Sequence, residues 1–335
     1  MPPIRVAVVG LGIGRRHIRA YQSLPGVEVA AIVDTDPVAL NKARQEFGIG
    51  FATSDYSQVL VRQDIGLLSI CTPDKLHAQQ ALQALEAGKH VLCEKPMATT
   101  LEDAALLVRQ VRETGLKFMV VHNYRFVPQF AKLKELADAG TLGSPYFAES
   151  CYIQDLYFMA ELGPRYWRLA DPQDFVLGGA VHNVDLLRWV FGEIIEVQAF
   201  SRHVMPFYAL DDNYVVNLRF AGGGIGRLLL LLGSRLKDKF RVELNVYGPE
   251  GSLSANMQKP EVVENVSALQ GDQPLVLAVE EVDSHQRAIA HFLECVREDK
   301  QPLVDVVEGA KAVAVCLAAI RSAREGRPVA ADYRF

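Results

Sequence analysis

Residues Val8–Ile18 read VVGLGIGRRHI. They close the apolar run Ile4–Val9 and open a stretch with helical spacing from about Gly14 to Ser23. A strand, a glycine-rich turn and a helix in that order make the phosphate loop of a dinucleotide-binding fold. Gly10 permits the tight turn. Gly12 lets the backbone, with Ile13 beside it, approach a pyrophosphate that the helix N-terminus then holds. The third glycine is out of register: it is Gly14, at the fifth position, and Arg15 takes the usual sixth. Glycines alone are weak evidence, but Asp34 closes the next apolar run 24 residues after Gly10. A carboxylate there accepts bonds from a ribose diol and repels a 2′-phosphate. No arginine follows in "DTDP", so NAD is favoured over NADP. Asp36, just before Pro37, is the better cap for the next helix.

Outward from the loop, the first 120 or so residues alternate strand and helix. "VEVAAIVD", "GLLSICTP", "HVLCEKP" and "KFMVV" read as buried strands, and "PVALNKARQEFG" and "HAQQALQALEAG" as helices between them. Thr100 and Asp103 form a capping-box-like start to another helix. Such alternation predicts an α/β Rossmann domain with a doubly wound parallel sheet over residues 1–122. Past Asn123 the texture changes. Helices near Val127–Ala139 and Ala180–Phe191 lead into longer strands, "IIEVQAFSRHV", "NYVVNLRF", "GIGRLLLLLG" and "FRVELNVYG", with Gly222–Gly224 as a turn. Residues 123–335 are therefore expected to form an α+β domain with a mixed or antiparallel sheet. The tail from Ser284 to Glu325 reads as helical.

The chain has 335 residues, half of them hydrophobic, which suits two domains. A net charge of −5 with no basic stripe argues against nucleic acid. The most apolar run is too short to span a bilayer. No charged segment precedes a long apolar stretch at the N-terminus. Five cysteines without CxxC spacing read as buried reduced thiols, so no metal site and a cytoplasmic location are expected.

"EKP" at Glu94–Pro96 ends the fourth of these buried strands on a carboxylate and an ammonium, at the edge where ligands bind in open α/β sheets. Beside an oxidised nicotinamide, partial desolvation and a nearby positive charge would both lower the lysine's pKa. His182 and Asp185 lie three residues apart in a helical stretch and share a face. An imidazole suits proton transfer near neutrality, and Asp185 either orients it or binds a substrate hydroxyl. The bland alternatives are a surface Lys95 paired with Glu94 and a buried His182 satisfied by Asp185.

With these motifs in view, the sequence resembles the Gfo/Idh/MocA family of NAD(P)-dependent oxidoreductases, which includes glucose–fructose oxidoreductase and inositol dehydrogenase relatives. The resemblance runs through Thr72-Pro73…His77, "AGKHVLCEKP", "NYRF" at Asn123–Phe126, "HNVDLLRWVFG" at His182–Gly192, "NVYGPEGSL" and "SAREGRPV". It implies a large open-faced sheet in the second domain, often used for oligomerisation, so a homodimer or homotetramer is expected. It implies that Lys95 contacts substrate and nicotinamide and that His182 handles the proton. Thr72, Pro73, His77 and Glu94 join the expected cofactor-binding set. Tyr124, Trp167, Arg168 and Asp185 join the expected substrate set, Trp167 as a stacking face and Arg168 as an anion clamp. Tyr124 and Trp167 read equally well as packing.

The expected activity is hydride transfer between NAD and a secondary alcohol of a sugar, cyclitol or related polyol. One departure stands out: many relatives carry an aspartate four residues before the histidine, where this chain has Gly178. Asp174 or Asp185 compensates, the relay is shorter, or activity is lost. Two other functions stay open: a non-catalytic NAD-binding regulator, which Gly178 favours, and a hydrolase or lyase that uses NAD in a transient oxidation, as some glycosidases resembling this family do.

Overall fold

The computed structural model describes residues 2–164, 166–235, 240–266 and 275–335. The chain divides into two compact units. The first comprises Met1–Asn123, Asp283–Val313 and Arg334–Phe335, and the second Tyr124–Val282 and Ala314–Tyr333. Residues 283–313, placed with the second part by the sequence reading, pack with the first.

The first unit is built on six strands: β1 (Ile4–Val9), β2 (Val27–Val33), β3 (Phe51–Thr53), β4 (Leu67–Ile70), β5 (His90–Cys93) and β6 (Phe118–Val120). They pair in the order β3-β2-β1-β4-β5-β6, all parallel. The apolar runs exist because these strands are covered on both faces: Val6–Val9, Leu67–Ile70 and Val91–Cys93 are all buried. Helices α1 (Gly14–Ser23), α2 (Pro37–Phe47), α3 (Ser57–Leu60), α4 (His77–Glu86) and α5 (Leu101–Thr114) make the crossovers. Asp36 accepts the N–H of Val38 at 2.8 Å and starts α2, and Thr100 accepts that of Asp103 at 3.1 Å and starts α5. Strand order reverses direction between β1 and β4, and the Gly10–Gly14 loop leaves β1 at that switch point.

The second unit holds helices α6 (Pro128–Asp138), α7 (Trp167–Ala170), α8 (Phe175–Gly178) and α9 (Val181–Phe191). Its strands are β7 (Phe147–Gln154), β8 (Ile194–Arg202), β9 (Asn213–Phe220), β10 (Ile225–Leu231), β11 (Phe240–Gly248), β12 (Gly251–Asn256), β13 (Glu261–Val266), β14 (Leu275–Ala278) and β15 (Val329–Ala330). They form one mixed sheet, β14-β13-β12-β11-β7-β10-β9-β8-β15; among the described residues β7 and β10 pair parallel and the other neighbours antiparallel. Buried and exposed residues alternate along β9 and β10, as in a sheet covered on one face. On the covered side Asn183 of α9 donates to the Ser150 hydroxyl at 2.7 Å and the Cys151 carbonyl at 3.0 Å. On the other, Ile195, Phe200, Val215 and Ile225 are exposed.

The tail is two helices rather than one: α10 (Ser284–Glu298) and α11 (Val306–Glu325). Asp299 closes α10 in the left-handed conformation. Asp283 caps it, accepting the N–H groups of His285 and Gln286. All five cysteines are free and buried. Among the described residues no helix is long and apolar enough to cross a membrane.

Candidate active site

Gly10, Asp34, Thr72 and Lys95 lie at or just past the C-terminal ends of β1, β2, β4 and β5. The glycine loop divides its labour by sterics. Gly10 sits at φ +89°, and a Cβ there would meet the Cys71 carbonyl oxygen at 2.6 Å. Gly14 lies against Val8 and Cys71, so it does the helix-on-strand packing expected of the sixth-position glycine. Gly12 is different: nothing lies within 4 Å of where its Cβ would point. Beside it, Ile13 is exposed and leaves the start of α1 without a side-chain cap. An open backbone approach at an uncapped helix N-terminus fits a pyrophosphate. Asp34 steadies the loop, its carboxylate taking the N–H of Leu11 at 2.7 Å and of Asp36 at 2.9 Å. A carboxylate has about four acceptor sites, so these bonds leave capacity for a ribose diol. The residues present fit a dinucleotide.

Lys95 is half-buried, and its neighbour Glu94 turns inward rather than to the surface. Glu94 is buried and meets Nε2 of His17, from α1, at 3.0 Å. Nδ1 of His17 lies 2.9 Å from the Ser69 hydroxyl. Burial disfavours the imidazolium, but contacts with Cys71 and Glu94 outweigh it and push His17 up to about 10. Burial likewise opposes the Glu94 carboxylate, yet the hydrogen bond and charge of His17 bring it down to about 2. The second Glu94 oxygen lies 3.3 Å from the Lys95 amide. Glu94, expected to touch cofactor, is thus engaged inside the protein.

His77 is also redirected. It is buried, with Nδ1 2.7 Å from the Pro96 carbonyl oxygen and Nε2 2.7 Å from that of Thr72. It braces the loops after β4 and β5 where a cofactor contact was expected. Thr72 gives its hydroxyl to Gln80 at 2.6 Å, and Pro73 is exposed. The first turn of α10 joins the same network. His285 lies 6.3 Å from His17 ring to ring, and burial brings its pKa down to about 4. Asn123 donates to Ser284 at 2.9 Å, and Arg16 pairs with Asp283.

In the second unit His182 is buried on α9 and stacks on Tyr124, ring centroids 4.3 Å apart at 19°. Asp185 does not offer itself to substrate. It is wholly buried, and its two oxygens receive Nε and a terminal nitrogen of Arg125 at 2.8 and 2.7 Å. A guanidinium on the turn Asn123–Phe126 matches a carboxylate two-for-two, which a substrate hydroxyl cannot displace cheaply. Asp174 is engaged too, by the Tyr214 hydroxyl and Arg324. Gly178 closes the four-residue α8. Arg168 lies over the Trp167 ring at 4.2 Å, so the expected clamp and stacking face cover each other. Tyr152, missed in the sequence, interacts with Tyr124 and Arg168, and burial pushes it up to about 12.

Two family profiles match nearly the whole chain: "Oxidoreductase family, NAD-binding Rossmann fold" over residues 4–122, and "Oxidoreductase family, C-terminal alpha/beta domain" over residues 134–331. The chain belongs to the Gfo/Idh/MocA oxidoreductase family. Among its relatives in this family, scyllo-inositol 2-dehydrogenase (NAD(+)) of Bacillus subtilis (strain 168) is 28% identical, covering 99% of this chain and 97% of its own. Levoglucosan dehydrogenase of Pseudarthrobacter phenanthrenivorans is 27% identical, over 77% and 75% respectively. A solved levoglucosan dehydrogenase in complex with NADH and L-sorbose superposes at a TM-score of 0.91, with 23% identity over 99% of this chain and 100% of that one. That likeness fixes the fold of a Gfo/Idh/MocA protein.

Proposed function

We propose that this protein is an NAD-dependent dehydrogenase moving a hydride between nicotinamide and a secondary alcohol of a sugar, cyclitol or related polyol. The observation that carries this is the open approach at Gly12, with Asp34 on one side and Lys95 on the other, along one edge of a parallel sheet. Family membership over both parts of the chain supports it, as do relatives named for inositol and levoglucosan oxidation. In this reading residues 1–122 serve the cofactor, and residues 123–335 serve substrate and association.

NAD, when bound, supplies the hydride acceptor. Gly12, Ile13 and the first turn of α1 would hold its pyrophosphate, and Asp34 its ribose. Thr72 and Pro73 would border the nicotinamide. Lys95 donates a hydrogen bond from Nζ to the substrate oxygen and stabilises the alkoxide that develops there. An imidazole nitrogen of His182 takes the hydroxyl proton. Tyr124, stacked on that ring, fixes its plane. Exposed apolar residues on the second sheet support a homodimer or homotetramer through that face, and free buried thiols support a cytoplasmic setting.

The test is NADH formation across a polyol panel by the parent and by Lys95→Met. Turnover confined to the parent is expected. A variant that oxidises the same polyol equally fast overturns the role of Lys95.

A further inference from the structure

Lys95 stands between two residues that are each held from inside the first unit by a buried histidine. We infer that His17 and His77 are positioning residues for Lys95, the first acting through the Glu94 carboxylate and the second through the Pro96 carbonyl. The inference rests on the reading of Lys95 as a catalytic group.

The contacts are specific in direction. His17 Nε2 lies 3.0 Å from one Glu94 oxygen, and the other Glu94 oxygen reaches the Lys95 amide. On the far side, His77 Nδ1 lies 2.7 Å from the Pro96 oxygen. Its Nε2 ties the same ring to Thr72, at the end of the neighbouring strand. Both imidazoles are essentially inaccessible, so neither can meet a ligand. A buried imidazole–carboxylate pair is a poor source of stability, because desolvation consumes most of the attraction. What it does supply is orientation, since each partner has one geometry that satisfies it.

The origin of His17 matters as well. It lies three residues after Gly14, one turn into the helix whose N-terminus is assigned to pyrophosphate. Helix, imidazole, carboxylate and lysine amide therefore form a continuous run of contacts. Ser69 on β4, Cys71 just past it and His285 on α10 face the same pair and fix its surroundings.

The experiment uses the full chain without cofactor. Lysines are reductively methylated with ¹³C-formaldehyde, and the Lys95 dimethyl resonance is assigned by its loss in Lys95→Arg. His17→Leu/Glu94→Met removes one arm without stranding a buried charge, and His77→Phe removes the other. His17→Gln and His77→Gln, which keep a donor, serve if either of these fails to fold, and as partial rescues otherwise. In folded variants the Lys95 signal should move towards the position of an unconstrained lysine, with the glutamine forms in between. In unmodified protein NADH affinity should stay near the parent's. Turnover should fall by about a hundredfold, the loss expected when a catalytic group is displaced by an ångström or so. A Lys95 resonance equal to the parent's in a folded variant overturns the inference. If instead Lys95→Met keeps its turnover, the catalytic reading falls, and the resonance alone still decides whether the histidines position the lysine.

Discussion

Alanine at Gly12 and alanine at Gly10 should do opposite things, although the two positions are two residues apart in one loop. At Gly10 the backbone is at φ +89°, where an L-residue costs about 1–2 kcal/mol. The added carbon would also sit 2.6 Å from a carbonyl oxygen and 2.8 Å from an amide nitrogen, both backbone atoms that cannot swing aside. Gly10→Ala should therefore lose more than about 2 kcal/mol of stability. At Gly12 there is no clash within 4 Å and no left-handed backbone. Stability should hold or rise by up to about 1 kcal/mol, because alanine narrows the unfolded ensemble. The same methyl would occupy the space assigned to the pyrophosphate. A tenfold to hundredfold loss of NADH affinity, about 1.4–2.8 kcal/mol, is expected. Thermal unfolding and NADH fluorescence titration on the two variants read both quantities. A Gly12→Ala protein that binds NADH like the parent would show that the dinucleotide does not cross this loop.

Other expectations follow from the remaining contacts. His182→Asn should lower kcat by about a hundredfold or more while NADH binding persists, the usual scale for losing a general base; unchanged turnover removes it from the mechanism. Arg125→Met should destabilise by about 3–5 kcal/mol, since it strands the buried Asp185 carboxylate. Arg125→Met/Asp185→Leu should recover most of that in denaturant unfolding, and a double variant as weak as the single one refutes the pairing. For His17 and Glu94 the pH dependence has a definite sign. His17 is raised from 6.5 to about 10 in the folded protein, so its contribution is complete below 6.5 and is lost as pH rises to about 10. Glu94 is lowered from 4.5 to about 2, so its contribution is complete above 4.5 and is lost as pH falls to about 2. Melting temperature measured against pH should be flatter on the alkaline side in His17→Leu/Glu94→Met than in the parent. Identical alkaline slopes would mean the pair is not charged as described.

The parallel sheet was legible because a short run of consecutive apolar residues, with turn residues at each end, demands cover on both of its faces. The caps at Asp36 and Thr100 were written in side chains that bond locally. The glycine loop was legible because a tight turn and a close approach call for residues without a Cβ, and the displaced Gly14 does the packing from one position earlier. What the sequence hid was long-range pairing. Of the residues that follow Gly14, Arg15 pairs with Glu46 on α2 while His17 turns inward. A signal existed: Gly14, His17, Ile18 and Tyr21 share the buried face of α1, and a histidine there needs a partner. Asp185 was only half read: His182, three residues before it, was visible, while Arg125, which bonds both of its oxygens, lies 60 residues away. Pairing of that kind follows from tertiary packing, which no local pattern encodes. Short β3 and β15 gave no periodic signal. The tail's break at Asp299 had no glycine to announce it, and Pro302, three residues on, was the stop signal passed over.

The return of residues 283–313 to the first unit bears on how the protein is made. Ser284, Ile289, Phe292 and Leu293 of α10 are buried side chains of a unit whose sheet is complete by residue 120. On a ribosome adding about 5–20 residues per second, the intervening stretch postpones their arrival by roughly ten to thirty seconds. Through that interval the nascent nucleotide-binding half carries an uncovered apolar flank. The emerging chain should be a chaperone client until its last fifth is synthesised, and a fragment cut at residue 123 should inherit that stickiness permanently.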